Sequence, residues 1–84
     1  MRNKEILIKQ IIYRSMHRGS KEMDLLLGNF VKKNIQKLNT VELKDLENLL
    51  YIDDEIIYKW YFEKNYDNTI PKTKISSMLK NFKL

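Results

Sequence analysis

Only three residues in this chain are strong breakers of regular backbone, Gly19, Gly28 and Pro71, and apolar residues recur between them at intervals of three and four. That spacing lines one face of a 3.6-residue helix, whereas a strand repeats every second residue. The chain therefore reads as all-α, five helices joined by short turns. The first spans about Lys4 to His17 with Leu7, Ile8, Ile11, Ile12 and, at its end, Met16 on the inner side. It stops at Gly19, where a left-handed helix end is expected. Ser20 caps a second helix, about Lys21 to Lys37, whose stripe is Met23, Leu26, Leu27, Phe30, Val31, Asn34 and then Leu38, with Ile35 on the flank. Gly28 lies inside it at a cost of about 1 kcal/mol against Ala, which a close helix-helix approach would explain.

Asn39 followed by Glu42 is a capping-box variant opening a third helix, with Leu43, Leu46, Leu49 and Leu50 on one face and an acidic outer face. Asp53 and Asp54 are placed to cap a fourth, which carries Ile56, Ile57, Trp60 and Tyr61. Tyr58 and Phe62 lie on its flanks. A polar connection, Asn65 to Thr69, leads through Pro71 to a last helix with Ile75, Met78, Leu79 and Phe82. Short connections make consecutive helices neighbours, so the expected architecture is a compact five-helix antiparallel bundle, one domain over residues 1–84.

A chain of 84 residues buries only about 60 to 65% of its unfolded surface, which leaves little room for a deep substrate cavity. A binding module is favoured over an enzyme. Cysteine is absent and His17 is the single histidine, which removes disulfides, thiolate metal sites and cysteine nucleophiles. No metal site is expected, and a reducing compartment fits. No apolar run approaches the roughly 20 residues that cross a bilayer, and the N-terminus has no signal-peptide core, so neither a span nor an export or transit sequence is expected.

The net charge of +5 suggests an anionic partner, but the sign alternates along the chain: +5 over residues 1–21, +1 over 22–41, −5 over 42–63 and +4 over 64–84. With 13 Lys against three Arg, ten Ile, eight Asn and no Ala, part of the basicity reflects an AT-rich composition. Against that background Arg14 and Arg18, four apart beside a glycine, mark a place where the forked hydrogen bonds of a guanidinium are needed.

The joint between the first two helices concentrates the unusual residues. Arg14, His17 and Arg18 stand at the carbonyl-rich end of one helix, and Glu22 and Asp24 at the amide-rich start of the next. Two readings fit. In one, the charges complement the helix dipoles at about 0.3 to 1 kcal/mol each and Arg18 pairs with Glu22. In the other, Gly19 lets a partner approach the backbone while Arg18 and Glu22 flank it as specific contacts. His17 lacks the oriented partner and nucleophile that general-base catalysis requires, so no catalytic residue is assigned. The cluster Tyr51, Tyr58, Trp60, Tyr61, Phe62 and Tyr66 is surrounded by Asp53, Asp54, Glu55 and Glu63, which disfavours base stacking and favours packing. A small basic helical nucleic-acid-binding module is the alternative reading, although phosphate would repel an acidic third helix. The last helix, with Lys72, Lys74, Lys80 and Lys83 opposite its apolar face, needs only core packing and no membrane surface.

The run His17-Arg18-Gly19-Ser20-Lys21-Glu22-Met23-Asp24-Leu25-Leu26-Leu27-Gly28-Asn29-Phe30 resembles the signature of the succinate dehydrogenase flavin-attachment (FAD assembly) factors, with their Arg-Gly-x-x-Glu core. The likeness continues through the Leu-Leu of helix three, Asp53-Asp54 and Trp60. His17 and Ser20 replace the Arg and Met that many members carry, and Glu55 stands where a Pro is common. The resemblance implies a five-helix bundle that binds the flavoprotein subunit of succinate dehydrogenase, and in bacteria also fumarate reductase, as a monomer in a 1:1 complex. There it promotes covalent attachment of FAD to a His of that subunit. It implies an assembly factor or chaperone serving the tricarboxylic acid cycle in the bacterial cytoplasm, without a cofactor of its own, acting on FAD bound to its partner. Arg18, Gly19 and Glu22 carry over as motif residues at the contact surface. Arg14, one turn from Arg18, and His17 extend that partner-binding set.

Overall fold

The structure, a computed structural model, describes residues 3–84 and contains helices α1 (Lys4–Met16), α2 (Lys21–Asn34), α3 (Thr40–Leu50), α4 (Asp54–Tyr61) and α5 (Lys74–Asn81), with a 3-10 turn Ile35–Lys37 after α2. The first two residues of the expected 1–84 domain lie outside the described residues. Local chemistry fixes most helix starts. Asn3 Oδ1 accepts from the amide of Ile6 at 2.8 Å, and Ser20 Oγ from that of Met23 at 3.3 Å. Asn39 with Glu42, and Thr73 with Ser76, form reciprocal capping boxes. Each cap satisfies amides that the helix itself leaves unpaired, a contribution of about 1 kcal/mol.

The apolar stripes meet in one contiguous core. Leu7 and Ile11 of α1, Leu26 and Phe30 of α2, Leu43 and Leu46 of α3, Ile57 and Trp60 of α4, and Ile75 and Leu79 of α5 are all buried in it. The closest helix pairs are α1 with α2, α1 with α3, and α3 with α5, so α1 and α3 form the spine. The Tyr61 hydroxyl donates to the Phe82 carbonyl, and the Phe82 ring meets Phe30 edge-on at 5.4 Å, which fastens the end of α5 to α4 and α2. No described helix is long and apolar enough to cross a membrane.

Several local expectations change. Gly19 has no positive φ, and α1 instead ends on His17 with φ −120°. Ile12 and Met16 are exposed, and Ser15 takes the buried place with its hydroxyl donating to the Ile12 carbonyl at 2.8 Å. The second helix stops at Asn34, whose side-chain amide donates to the Phe30 carbonyl at 2.9 Å and competes with the helical ladder. The following 3-10 turn rotates Ile35 into the core with Leu38. Asp53 makes no side-chain cap on α4, and Asp54 is recruited elsewhere.

Glu42 supplies a pH test of this architecture. Its carboxylate accepts the Asn39 amide at 3.0 Å and faces Lys74 Nζ at 3.2 Å, linking α3 to α5. The backbone bond first, and Lys74 second, hold its pKa below the ordinary 4.5. A carboxyl that is harder to protonate when folded stabilises fully above its unfolded pKa, and that stabilisation is lost as pH falls through the lower folded value. Urea midpoints measured between about pH 6 and about pH 3 should therefore fall less for Glu42→Gln than for the wild type. Parallel curves would remove Glu42 from the account.

Candidate functional site

Arg18 is the centre of the joint, and it points inward. Its Nε donates to Asp54 Oδ1 at 2.7 Å, and Nη2 lies 2.6 Å from the same oxygen. Nη1 donates to the Leu50 carbonyl at 2.7 Å and reaches the Arg14 carbonyl at 3.4 Å, while Nη2 also donates to the Ile52 carbonyl at 3.2 Å. Of the five N–H donors of the guanidinium these hydrogen bonds use four, and the Nη2–Asp54 contact completes the ion pair. A lysine ammonium could not satisfy this fork, and the scarcity of Arg elsewhere in the chain gains its physical reason here.

Leu50 closes α3 and Asp54 opens α4. Arg18 therefore places a cation on the carbonyls at the end of one helix, and Asp54 places a carboxylate at the start of the next, each the favourable sign for its dipole. The Arg18 side chain is only 9% exposed and that of Asp54 26%. The second oxygen of Asp54 accepts from the Gly19 amide at 2.7 Å, and Asp24 Oδ1 accepts from the Arg18 amide at 2.7 Å. The α1–α2 joint is thus clasped to the α3–α4 joint. A Cβ on residue 19 would stand 3.3 Å from Asp54 Oδ2, so glycine lets this carboxylate approach without the shift of a few tenths of an ångström that a side chain there would impose.

The other expected site residues face outward. Glu22 is exposed on the first turn of α2 and, among the described residues, has no hydrogen bond or ion pair; the Arg18–Glu22 pair does not form. Gly19 and Glu22, with Asp54, Glu55 and Tyr58, line a shallow depression of about 410 Å³. The Arg14 guanidinium lies over the Tyr51 ring at 4.3 Å. His17 stacks on Tyr13 at 3.9 Å and its Nδ1 is 2.8 Å from the Tyr13 carbonyl, which can only accept. Nδ1 therefore carries the proton, and Nε2 is left for solvent or a partner. Arg18 lies behind this surface, and Arg14 and His17 lie beside the depression and not within it.

Asp54 is the residue that sequence reasoning undervalued. The available signal was the doubled Asp53-Asp54, one carboxylate more than a cap requires. A larger hollow, of about 560 Å³, lies elsewhere, between α1 and α2. Among the described residues no group of His, Asp and Glu is arranged to hold a metal ion.

Comparison with known proteins decides the family. Residues 9–83 match the family described as flavinator of succinate dehydrogenase, Sdh5. The chain belongs to the Sdh5 family. It is 33% identical over 72 residues to the FAD assembly factor SdhE of Acetobacter pasteurianus, covering 86% of this chain and 63% of that protein. It is 36% identical over 62 residues to the mitochondrial succinate dehydrogenase assembly factor 2 of Arabidopsis thaliana, covering 74% of this chain and 33% of that one. With the corresponding Dictyostelium discoideum protein the figures are 43% over 60 residues, 71% and 43%. The chain thus spans 33% to 63% of these relatives' lengths. No solved structure gives a significant match. The nucleic-acid alternative finds no support in the fold or in these relatives.

Proposed function

We propose that this chain is an assembly factor that binds the flavoprotein subunit of succinate dehydrogenase and promotes covalent attachment of FAD to it. Membership of the Sdh5 family carries this reading, and the corner gives it a physical form. Arg18 and Asp54 lock two helix joints together from behind. The Gly19–Glu22 edge is then presented with little freedom, and Glu22 is available to pair with a cation or N–H of the partner.

Bond formation belongs to the flavin and to the partner's own His, with the organic chemistry supplied by the isoalloxazine ring. The chain contributes placement. By holding the flavoprotein so that the ring's methyl carbon stays within reach of that His, it reduces an orientational cost that reaches about 7 to 11 kcal/mol in favourable systems. A rigid docking edge is suited to this, because a mobile one would transfer its own disorder to the complex. His17 Nε2 and Arg14 extend the contact, and the complex is 1:1.

Coexpression with the candidate flavoprotein tests the reading. The denatured flavoprotein band should fluoresce strongly with this chain present and weakly without it, while noncovalent FAD content of the native subunit stays the same. Equal fluorescence in both would remove the proposal.

A further inference from the structure

The groove between α1 and α2 is not used by the clasped corner, and the fold leaves it open. Ile12 and Met16 of α1 face Leu25 of α2 across it, and these side chains remain 36%, 57% and 50% exposed. Gly28 lies in its floor. A Cβ there would meet only Met16 Cγ and the Ser15 carbonyl, both at 3.9 Å, an ordinary contact distance. Packing of α1 on α2 therefore does not demand glycine at this position, although glycine inside a helix is unfavourable by about 1 kcal/mol. The missing side chain instead deepens the groove toward the α2 backbone.

The rim gives the occupant its charge. Lys21 and Lys32 border the groove, both are exposed, and neither has an ion-pair partner among the described residues. The one carboxylate in the lining, Asp24, is already held by the Arg18 amide. A second copy of this chain seated groove to groove would bring four like charges together. The groove and the proposed docking edge lie on neighbouring faces of the first turn of α2, with Lys21 on one and Glu22 on the other.

We propose that this groove seats an amphipathic, acidic segment of the same flavoprotein that the Gly19–Glu22 edge engages. Its apolar side chains fill the space over Gly28 and its carboxylates meet Lys21 and Lys32. This is the helix-in-groove mode of recognition, with Met16 as an adaptable wall. The inference rests on the flavoprotein reading and adds a second, independent contact to it.

Calorimetric titration of the intact chain against the flavoprotein subunit of succinate dehydrogenase separates the two. Leu25→Glu places a carboxylate on the groove at a half-exposed position, and Gly28→Leu fills its floor. Each should weaken binding by at least about tenfold. Circular dichroism should show wild-type helix content and a melting temperature no lower for Gly28→Leu, with Val41→Glu on the exposed side of α3 as a neutral control. Binding that is weakened by Glu22→Ala but unchanged by both groove variants overturns the groove assignment and leaves the edge reading standing. No binding by the wild type overturns both. Self-association that Leu25→Glu abolishes, with flavoprotein binding unaltered, assigns the groove to a second copy and also overturns the proposal.

Discussion

Asp54→Ala is expected to lower the folding free energy by about 2 to 4 kcal/mol. The loss follows from what the carboxylate leaves behind. Arg18, 9% exposed, keeps the carbonyls of Leu50 and Ile52 but loses its counter-charge, and the Gly19 amide loses its acceptor. Breaking a fully buried pair costs about 3 to 5 kcal/mol, and the partial exposure of Asp54 reduces that range through solvent screening. Asp54→Asn should fall between, since one amide oxygen can replace only one of the two acceptors. Urea unfolding of wild type, Asp54→Ala, Arg18→Met and the double variant closes a thermodynamic cycle, with an expected coupling of at least about 1 kcal/mol. A loss below about 0.5 kcal/mol for Asp54→Ala, the range of ordinary surface changes, would show that the two joints are held together by packing alone. On the proposed reading, complex formation with the flavoprotein should fall with stability in Asp54→Ala, because the same bonds that hold the fold also position the Gly19–Glu22 edge.

The fold was legible where local pattern determines it. Met23, Leu26, Leu27, Phe30 and Val31 follow one helical stripe and are all buried, and Asn39 with Glu42 announces its capping box from spacing alone. Where a stripe is too wide, pattern fails. Leu7, Ile8, Ile11, Ile12 and Met16 cover more of α1 than one neighbour can bury, and the positions of α2 and α3 decide that Ser15 goes in while Ile12 and Met16 stay out. The candidate site divides in the same way. Arg18, Gly19 and Glu22 stand out in the sequence, but the partner of Arg18 is 36 residues distant. Nothing local distinguishes a carboxylate that caps its own helix from one that clasps another joint. Gly19 was recognisable as special for its backbone, whereas in the fold its missing Cβ leaves room for the approach of Asp54 Oδ2.

Glu22→Ala should produce the opposite pattern, a functional loss without a structural one. Glu22 is exposed and has no partner among the described residues, so its contribution to stability is limited to its place in the first turn of α2, about 0.3 to 1 kcal/mol. At an interface the same carboxylate makes a charge-assisted hydrogen bond, and removing such a bond costs about 1.5 to 3 kcal/mol, or roughly 10- to 150-fold in affinity. Covalent flavin fluorescence of the partner should therefore drop when this chain is limiting and recover when it is supplied in excess, because the defect is in binding. Glu22→Gln keeps the shape and one acceptor but removes the charge. Recovery by Gln identifies an uncharged N–H as its counterpart, and continued loss identifies a cation. Full flavinylation by Glu22→Ala at limiting concentration would detach the exposed carboxylate from function and leave the Arg18–Asp54 clasp as a device of folding only. On the proposed reading the contrast between the two carboxylates makes the corner a presented surface: Asp54 turns inward and holds the joints, and Glu22 turns outward at a position the fold does not need.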